Sequence, residues 1–572
     1  MSRLFALPAL GLALGVSFAL WGWLGRPVAV PDVPGGRLQC VSYTPWQGGG
    51  ENPLKHEYTV DEAILRDSLA ALKPFTDCIR LYSALGPYPD VVRIADEMGI
   101  KVMLGMWIGN RDELNRREIE AALALAEAHP RAVRLLIVGN EVLLRREMSG
   151  NRLAGIIRSV KERTRIPVAY ADIPHFWLRN RMVADAVDVV GIHLLPYWDD
   201  PTPTTIDRVQ AHLRGLTARM HAEFPGKPLL MAEVGWPSAG RTRGGAVPSV
   251  VNEARFMREF SVWAAEQKLD YNLIEGWDQP WKKGPEGTVG GFWGILDRDL
   301  EPKFPLTGPV SEWPGWRGAA LFAAAVSGLL LVAPLAARRR PTAAGWLGLG
   351  LLGPALGSTL VGLDFMMETV PDTVFGTVGV AGLFGLTLFG AGLWALHLVD
   401  DAAAGNLRTA PFDAVLAWLR RPWRRPDGAV VLGVFWWATM ATAALVALAI
   451  AFDGRHRDFP TIGLWMPAVA LALHGARAGL NIRPGERREE AWIAATVAIA
   501  GLFGNDWWGN VEGWMWIACC LLLAAPGLPA SRVEALRLGR RLFQTDQAQA
   551  SNDKGDHRRS CVVENQAEPG QE

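Results

Sequence analysis

The chain alternates between long apolar stretches and segments of mixed polarity, and this pattern divides it into parts. Residues 1–30 and 316–530 are rich in Ala, Leu, Gly and Val and contain long runs almost free of charge. Residues 37–312 instead have the mixed polar and apolar texture of a soluble domain. At 572 residues the chain is also too long for one ordinary hydrophobic core. The pattern therefore predicts one soluble domain joined to a membrane region.

Inside the soluble part, short apolar runs alternate with stretches of helical period, which is typical of repeated strand–helix units. Strands are predicted at residues 39–43, 77–82, 101–107, 134–140, 167–172, 188–193, 228–233 and 271–277. Helices are predicted at residues 60–72, 89–98, 115–128, 151–164, 176–184, 205–223 and 250–267. Eight such strands match a (β/α)8 TIM barrel, whereas the alternative, an open doubly wound sheet, lacks a glycine-rich phosphate loop after its first strand. We therefore predict an α/β TIM barrel as the catalytic domain over residues 31–315, followed by an all-α polytopic transmembrane domain over residues 316–530.

The apolar segments predict about eight membrane spans on the usual hydropathy criterion. The first, Phe5–Leu24, has about 20 residues, which is enough to cross a bilayer. Arg3 precedes it and no small-residue cleavage site follows, so residues 1–30 are expected to be an uncleaved N-terminal anchor. Further spans are predicted at residues 318–337, 344–363, 374–399, 429–452, 461–480, 491–504 and 512–529. Residues 531–572 are polar and without periodicity, which predicts a disordered cytoplasmic tail.

The arginines between these spans predict an orientation, because basic loops stay in the cytoplasm. They cluster in alternate loops, at Arg338–Arg340, Arg408, Arg420, Arg421, Arg424, Arg425, Arg483, Arg487, Arg488, Arg532, Arg537, Arg540 and Arg541. The intervening loops hold little beyond Arg455 and Arg457. Both termini are then inside and residues 27–315 outside, which in a bacterium means a multi-pass protein of the inner membrane with its catalytic domain in the periplasm.

Charge and cysteine content narrow the range of partners. Lys and Arg number 58, as do Asp and Glu, so the net charge gives no reason to expect a nucleic-acid partner. Cys40 and Cys78 lie near the starts of two predicted strands, where a disulfide is possible in an exported domain. Two buried thiols are nevertheless the favoured interpretation. No cysteine or histidine spacing suggests a metal, so we predict neither a metal nor a cofactor.

Two segments run from an apolar stretch directly into a glutamate, LLIVGNE (135–141) and LLMAEVGWPS (229–238). A barrel strand with this pattern delivers a carboxylate to the C-terminal rim, where TIM-barrel enzymes keep their active sites. Two carboxylates facing each other about 5–5.5 Å apart can cleave or remake a glycosidic bond with a covalent intermediate. Glu141 follows Asn140, whose amide can hold a sugar 2-hydroxyl, so Glu141 is the predicted acid/base and Glu233 the nucleophile. For a rim glutamate considered alone, a solvated or salt-bridged side chain is the alternative.

Other rim residues are predicted to support this pair. Arg80 and His193 each end a strand and can keep a carboxylate ionised. Sugars present apolar C–H faces, so aromatic residues at the rim are candidate binding platforms. These candidates are Tyr43, Tyr82, Tyr197, Trp198, Trp236, Trp277 and Trp281. Trp107 and Trp236 are expected to pack the barrel, whereas Tyr197, Trp198 and Trp281 are the preferred stacking residues.

Four segments together closely resemble the family 17 glycoside hydrolases, the β-1,3-glucanase family. They are VGNEVLLR (138–145), HLLPYW (193–198), AEVGWPS (232–238) and DQPWK (278–282), and the resemblance covers roughly residues 38–310. It implies a barrel enzyme that retains anomeric configuration, with Glu141 as proton donor and Glu233 as nucleophile. Plant members carry a Glu-Asn-x-x-Lys-like segment on the last strand. The resemblance implies that Asp278 and Lys282 occupy it here, with Asp278 in place of the plant glutamate.

The tethered architecture is more similar to bacterial membrane proteins described as β-1,6-glucan synthases. We therefore expect a transglycosylase that remodels β-1,3-glucan and forms β-1,6 linkages or branches, because a digestive glucanase has no use for the extra spans. An endo-β-1,3-glucanase and a non-catalytic glucan-binding or export module are the alternatives. The expected partners are a β-glucan oligo- or polysaccharide, the lipid bilayer and, as a candidate, a membrane glucan synthase.

Overall fold

The structure, a computed structural model, describes residues 2–46, 53, 58–201, 203–371, 373–478 and 488–527. An N-terminal helix, α1 (Ala6–Leu24), precedes an α/β barrel, and a helical region follows from Trp316. The tail predicted at 531–572 lies outside the described residues.

In the described part of the chain, eight parallel strands close into a barrel in sequence order. They are β1 (Val41–Ser42), β2 (Cys78–Leu81), β3 (Lys101–Met106), β4 (Val133–Asn140), β5 (Val168–Asp172), β6 (Val189–Leu194), β7 (Leu229–Val234) and β8 (Asp270–Leu273). Pairing of Val41 with Leu273 closes the ring between β1 and β8. The predicted TIM barrel is confirmed, and each predicted strand is present. The last one is shorter than predicted, because regular pairing stops at Leu273.

Helices surround the barrel where the helical periodicity predicts them. They are α2 (Glu62–Leu72), α3 (Tyr88–Glu97), α4 (Asp112–Ala128), α5 (Gly150–Lys161), α6 (Pro174–Arg179), α7 (Ile206–Glu223), α8 (Val250–Gln267) and the single turn α9 (Lys283–Glu286). Local chemistry sets several of their starts. Asp61 accepts a hydrogen bond from the backbone N–H of Ala63 at the start of α2, and Ser249 does the same for Asn252 in α8.

The barrel encloses a small inner core, and a larger one lies between strands and helices. The inner core includes Cys40 and Cys78, which form a disulfide with a Cα–Cα distance of 4.5 Å. The expectation of two free thiols is therefore wrong. The register explains the bond, because Val41 pairs with Ile79 and so puts the two preceding cysteines side by side.

The helical region contains α10 (Trp316–Ala336), α11 (Ala343–Thr369), α12 (Val374–Val399), α13 (Asp401–Gly405), α14 (Phe412–Leu419), α15 (Gly428–Phe452), α16 (Thr461–Ala478), α17 (Arg488–Leu502) and α18 (Val511–Ala524). Among the described residues, five helices are long and apolar enough to cross a membrane: α1, α10, α11, α12 and α15. The last three predicted spans also fold as helices, but these have only 18, 15 and 14 residues.

Two short linkers join the barrel to the helices, and they pair with each other. Val28 and Val310 form an antiparallel bridge with N···O distances of 2.7 and 3.0 Å. The buried Arg258 of α8 fastens the first linker, since its guanidinium donates to the carbonyl of Val30 and pairs with Asp32 at 2.7 Å. Both connections are therefore fixed to the barrel.

The loop after β7 contacts the helical region directly. Arg241 donates to the carbonyl of Arg457 at 3.0 Å, and the N–H of Thr242 donates to Glu512 at 2.9 Å. Because this loop follows the C-terminal end of a strand, the rim of the barrel that holds Glu233 faces the helical region.

Candidate active site

A cleft of about 920 Å³ opens at the C-terminal rim of the barrel. Glu141 follows the last residue of β4, and Glu233 lies in β7 beside His193 of β6, with which it pairs in register. One carboxylate oxygen of Glu141, one of Glu233 and a ring nitrogen of His193 lie within 4.8 Å of one another. Retaining glycosidases separate their carboxyl groups by about 5–5.5 Å and inverting ones by about 6.5–9.5 Å. The geometry thus fits double displacement.

Glu233 is the more buried carboxylate, with a side chain 6% exposed. Its Oε1 lies 3.0 Å from a guanidinium nitrogen of Arg80 and 3.5 Å from Nε2 of His193. Burial alone raises the pKa of Glu233, but the charges of His193, Arg80 and Lys282 and a hydrogen bond from Tyr82 together hold it below its usual value. This glutamate is suited to act in the ionised form.

Glu141 has a different environment, because its side chain is 24% exposed and faces the cleft. Its backbone is left-handed, with φ of 53°, and its N–H donates to the carbonyl of Ala171 at 2.8 Å. Its carboxylate contacts Nδ1 of the buried His193 at 3.0 Å. Burial lowers the pKa of His193, but the charges of Glu233 and Glu141 outweigh that effect and raise it. The two glutamates therefore share one histidine but differ in solvation.

Arg80 lies beneath the floor of the cleft and holds two of its residues in place. Its guanidinium donates to the side-chain oxygen of Asn140 at 2.5 Å and to the carbonyl of Ala232 at 2.8 Å. The side-chain oxygen of Asn140 is thus occupied, which leaves its NH2 group as the donor available to a sugar hydroxyl. Arg80 itself is buried and does not line the cleft, so it acts by positioning Asn140 and Glu233.

A third glutamate, which the sequence interpretation missed, reaches the cleft from the end of β8. Glu275 is 1% exposed and forms an ion pair with Lys282, while Glu286 lines the same wall. Burial raises the pKa of Glu275 and raises that of Glu286 to about 7. The carboxylates in turn raise the pKa of Lys282, although its burial opposes this. The signal was present in the sequence, since Leu273–Glu275 also runs from apolar residues into a glutamate.

Asp278 does not occupy the position beside Lys282 that the family resemblance implies. Asp278 is buried behind the cleft wall, where it pairs with Lys303 at 2.9 Å and accepts from the N–H of Gly294 at 2.9 Å. Glu275, rather than Asp278, is the carboxylate next to Lys282.

Several predicted residues do line the cleft: Tyr82, Asn140, Glu141, His193, Trp198, Glu233, Trp281 and Lys282. Trp107 joins them, contrary to the expectation that it only packs the barrel, and it stacks against the guanidinium of Arg145 at 4.3 Å. Trp293 was not predicted, yet it lines the cleft parallel to Trp198, with ring centroids 6.4 Å apart. We call this pair the aromatic wall; Trp198 is its half-buried face, and the buried Trp293 packs behind it.

In the described part of the chain, four of the predicted aromatic platforms do not line the cleft: Tyr43, Tyr197, Trp236 and Trp277. All are buried. The ring of Tyr43 packs edge-on against Trp277 at 4.7 Å. The hydroxyl of Tyr197 and the indole of Trp236 each donate to a backbone carbonyl, at 2.8 and 3.0 Å. Their polar atoms are satisfied inside the protein, so they shape the rim without facing a ligand.

Glu141, His193 and Glu233 are also the one group of ligating side chains in the described part of the chain with spacing suited to a metal ion. A cation there would compete with the guanidinium of Arg80, which lies 3.0 Å from Glu233. The positive charge already present favours acid–base chemistry over metal binding.

Comparison with known proteins finds similarity over the part of the chain that forms this cleft. Residues 40–294 match the BtgE/BtgC glycoside hydrolase domain. The chain is 28% identical over 300 residues to a probable glucan endo-1,3-beta-glucosidase btgC of Aspergillus fumigatus, covering 46% of this chain and 42% of that protein. It is 26% identical over 279 residues to a probable beta-glucosidase btgE of Aspergillus flavus, covering 47% and 44%.

A solved β-1,3-glucanosyltransferase of family 17 from Rhizomucor miehei is 25% identical, with a TM-score of 0.42 and coverage of 47% of this chain and 97% of that one. The chain spans less than half the length of the curated fungal relatives described above. The similarity lies in the part that forms the barrel and its cleft. Residues 40–294 are thus similar in sequence to a glycoside hydrolase domain.

Proposed function

We propose that the barrel is a retaining enzyme acting on β-1,3-glucan, with Glu233 as the nucleophile and Glu141 as the acid/base. The observation that carries this proposal is the approach of their carboxylate oxygens to within 4.8 Å inside one cleft. The match to a glycoside hydrolase domain supports the reaction class. Relatives named glucan endo-1,3-beta-glucosidase support the substrate class.

In the first step, the ionised Glu233 attacks the anomeric carbon while protonated Glu141 gives its proton to the departing glycosidic oxygen. The carbon–oxygen bond to the leaving sugar breaks as the bond to Glu233 forms. Arg80 holds Glu233 ionised and turns the NH2 group of Asn140 toward the sugar. A hydrogen bond to the 2-hydroxyl strengthens as positive charge develops on the sugar ring.

In the second step, Glu141 acts as a base and removes the proton of an incoming hydroxyl, whose oxygen displaces Glu233 from the anomeric carbon. Two inversions restore the original configuration. Water as the incoming group gives hydrolysis, whereas a sugar hydroxyl gives transfer.

Transfer to a glucan acceptor, with formation of β-1,6 linkages or branches, is the outcome we favour. The cleft extends past the glutamates along the half-buried ring of Trp198, which the buried Trp293 supports and which offers apolar surface for an acceptor chain. A helical region in contact with the rim also suits an enzyme that remodels glucan at a membrane better than a digestive hydrolase. A membrane glucan synthase is the corresponding candidate source of the substrate.

Several features support a multi-pass protein of a bacterial inner membrane with the barrel outside. In the part of the chain that the structure describes, five helices have the length and composition of membrane spans. The disulfide between Cys40 and Cys78 fits an oxidising compartment such as the periplasm. The arginine distribution keeps the opposite loops in the cytoplasm.

The test is incubation of the full chain in detergent with laminari-oligosaccharides, followed by product analysis for length and linkage. We expect products longer than the substrate, some with β-1,6 linkages, and no turnover by Glu141→Gln or Glu233→Gln. Products that are only shorter would support the endo-β-1,3-glucanase alternative. Binding without turnover in the wild type would support a glucan-binding or export module.

A further inference from the structure

The loop between α15 and α16, residues 453–460, leaves the helical region and packs against the rim of the barrel. Asp458 accepts a hydrogen bond from the hydroxyl of Thr288 at 2.6 Å. The guanidinium of Arg241 lies over the ring of Phe459 at 4.3 Å and donates to the carbonyl of Arg457. Contacts of residues 457–459 therefore hold the loop at the mouth of the cleft.

Arg455 of this loop lines the cleft itself, together with residues of the barrel. Its guanidinium pairs with Asp200 at 2.8 Å and donates to the carbonyl of Trp198 at 3.5 Å. Burial raises the pKa of Asp200, but Arg455 and Arg243 outweigh burial and lower it, so the partner carboxylate is charged. Asp200 and the carbonyl of Trp198 therefore hold the Arg455 side chain in place.

The guanidinium keeps a free face in this position. The side chain is 41% exposed, and these two hydrogen bonds use only part of the five N–H donors of an arginine. Its centre lies 5.4 Å from the ring of Trp198, the residue that forms the aromatic wall with Trp293. A sugar on this wall meets an apolar platform and a row of fixed donors, which complement its C–H face and its hydroxyls.

We propose that Arg455 is a substrate-binding residue that the helical region contributes to an outer subsite of the barrel's cleft. The inference rests on the proposed glucan activity and adds that the substrate site is built from both regions. Arg455 lies outside the matched domain at 40–294, so the subsite belongs to this chain's own architecture. Because neither Glu141 nor Glu233 is among its contacts, the residue acts on chain length rather than on bond cleavage.

The experiment compares Arg455→Ala with the matched control Arg457→Ala in the full chain. Arg457 is in the same loop, and its side chain pairs only with Asp453 at the surface among the contacts of the described residues. We measure kcat and KM for laminaritriose and for laminariheptaose, and binding of both sugars to each variant in a Glu233→Gln background. Arg455→Ala should lower the ratio of long-chain to short-chain kcat/KM by about tenfold, the weight of one charge-assisted hydrogen bond, mostly through KM.

Arg455→Lys keeps the charge but loses the planar fork, so it should fall between wild type and alanine. Equal ratios for the Arg455→Ala and Arg457→Ala variants would overturn the inference while leaving the glucan activity intact. An equal loss for short and long chains would also overturn it, because the residue would then only hold the loop. A wild type that neither binds nor converts either sugar would instead refute the proposed function, and the subsite with it.

Discussion

Replacing Arg80 by methionine removes a buried positive charge from the floor of the cleft and keeps an unbranched side chain. The side chains of Arg80 and Glu233 are only 1% and 6% exposed, so solvent screens the pair little. Removing one partner of a buried ion pair costs about 3–5 kcal/mol, because the other charge stays buried. At about 2–4 °C per kcal/mol for large domains, the unfolding midpoint of the barrel should fall by on the order of 10 °C.

The same substitution should change the pH dependence of catalysis. The charge of Arg80 helps to lower the pKa of Glu233, so its loss raises that pKa. The nucleophile must be ionised, and the acid limb of kcat/KM follows its pKa in the free enzyme, so this limb should move to higher pH. A lowered carboxyl pKa stabilises the fold above the unfolded-state pKa, and this contribution disappears as pH falls through the folded-state pKa. The midpoints of wild type and variant should therefore converge toward acid pH.

The controls separate charge from geometry. Arg80→Lys keeps the cation but cannot hold both Glu233 and Asn140, so kcat should fall while the acid limb stays near that of the wild type. The double variant Arg80→Met, Glu233→Gln removes both charges, so its unfolding midpoint should lie above that of Arg80→Met and below that of the wild type. An Arg80→Met protein with an unmoved acid limb, or a double variant less stable than Arg80→Met alone, would refute the electrostatic account of this site.

Four further substitutions test other parts of the site and fold. Trp198→Ala should raise KM for glucan oligosaccharides about tenfold through lost stacking, whereas Tyr197→Phe should cost about 1 kcal/mol of stability and leave KM unchanged. Equal KM effects would contradict the assignment of the two neighbours. Cys40→Ser opens a disulfide spanning 38 residues and should destabilise the barrel by about 4 kcal/mol, seen as a lower unfolding midpoint that reductant reproduces in the wild type. Lys282→Met leaves Glu275 buried without its cation and should lower kcat/KM at neutral pH about tenfold in the oligosaccharide assay, whereas an unchanged value would place the pair outside catalysis.

The sequence was sufficient for the barrel because parallel strands are buried on both faces and appear as short apolar runs. Burial of the whole of β7, Leu229–Val234, is an example. The ends of such runs also identified Glu141 and Glu233, since a strand's last residues project at the rim. The same rule applied to β8 predicts Glu275, whereas the resemblance to the plant enzymes implies Asp278, which is not the carboxylate beside Lys282 in the structure.

The direction of the aromatic side chains could not be predicted in the same way. Tyr197 and Trp198 are adjacent in one loop, yet their side chains take different directions. The hydroxyl of Tyr197 donates to a backbone carbonyl inside the protein, whereas the ring of Trp198 faces the cleft. Such choices depend on partners distant in sequence. Arg455 is the extreme case, because 255 residues separate it from its partner Asp200.

The paired linkers at Val28 and Val310 limit how the catalytic unit can work. The bridge, together with the contacts of Arg258 to the first linker, sets the orientation of the barrel relative to α1 and α10 by hydrogen bonds and an ion pair rather than by a free hinge. The contacts of Arg241 and Thr242 with the helical region hold the rim of the barrel on the same side. Under the function proposed above, we therefore expect a glucan to enter the cleft beside the helical region, without a reorientation of the barrel.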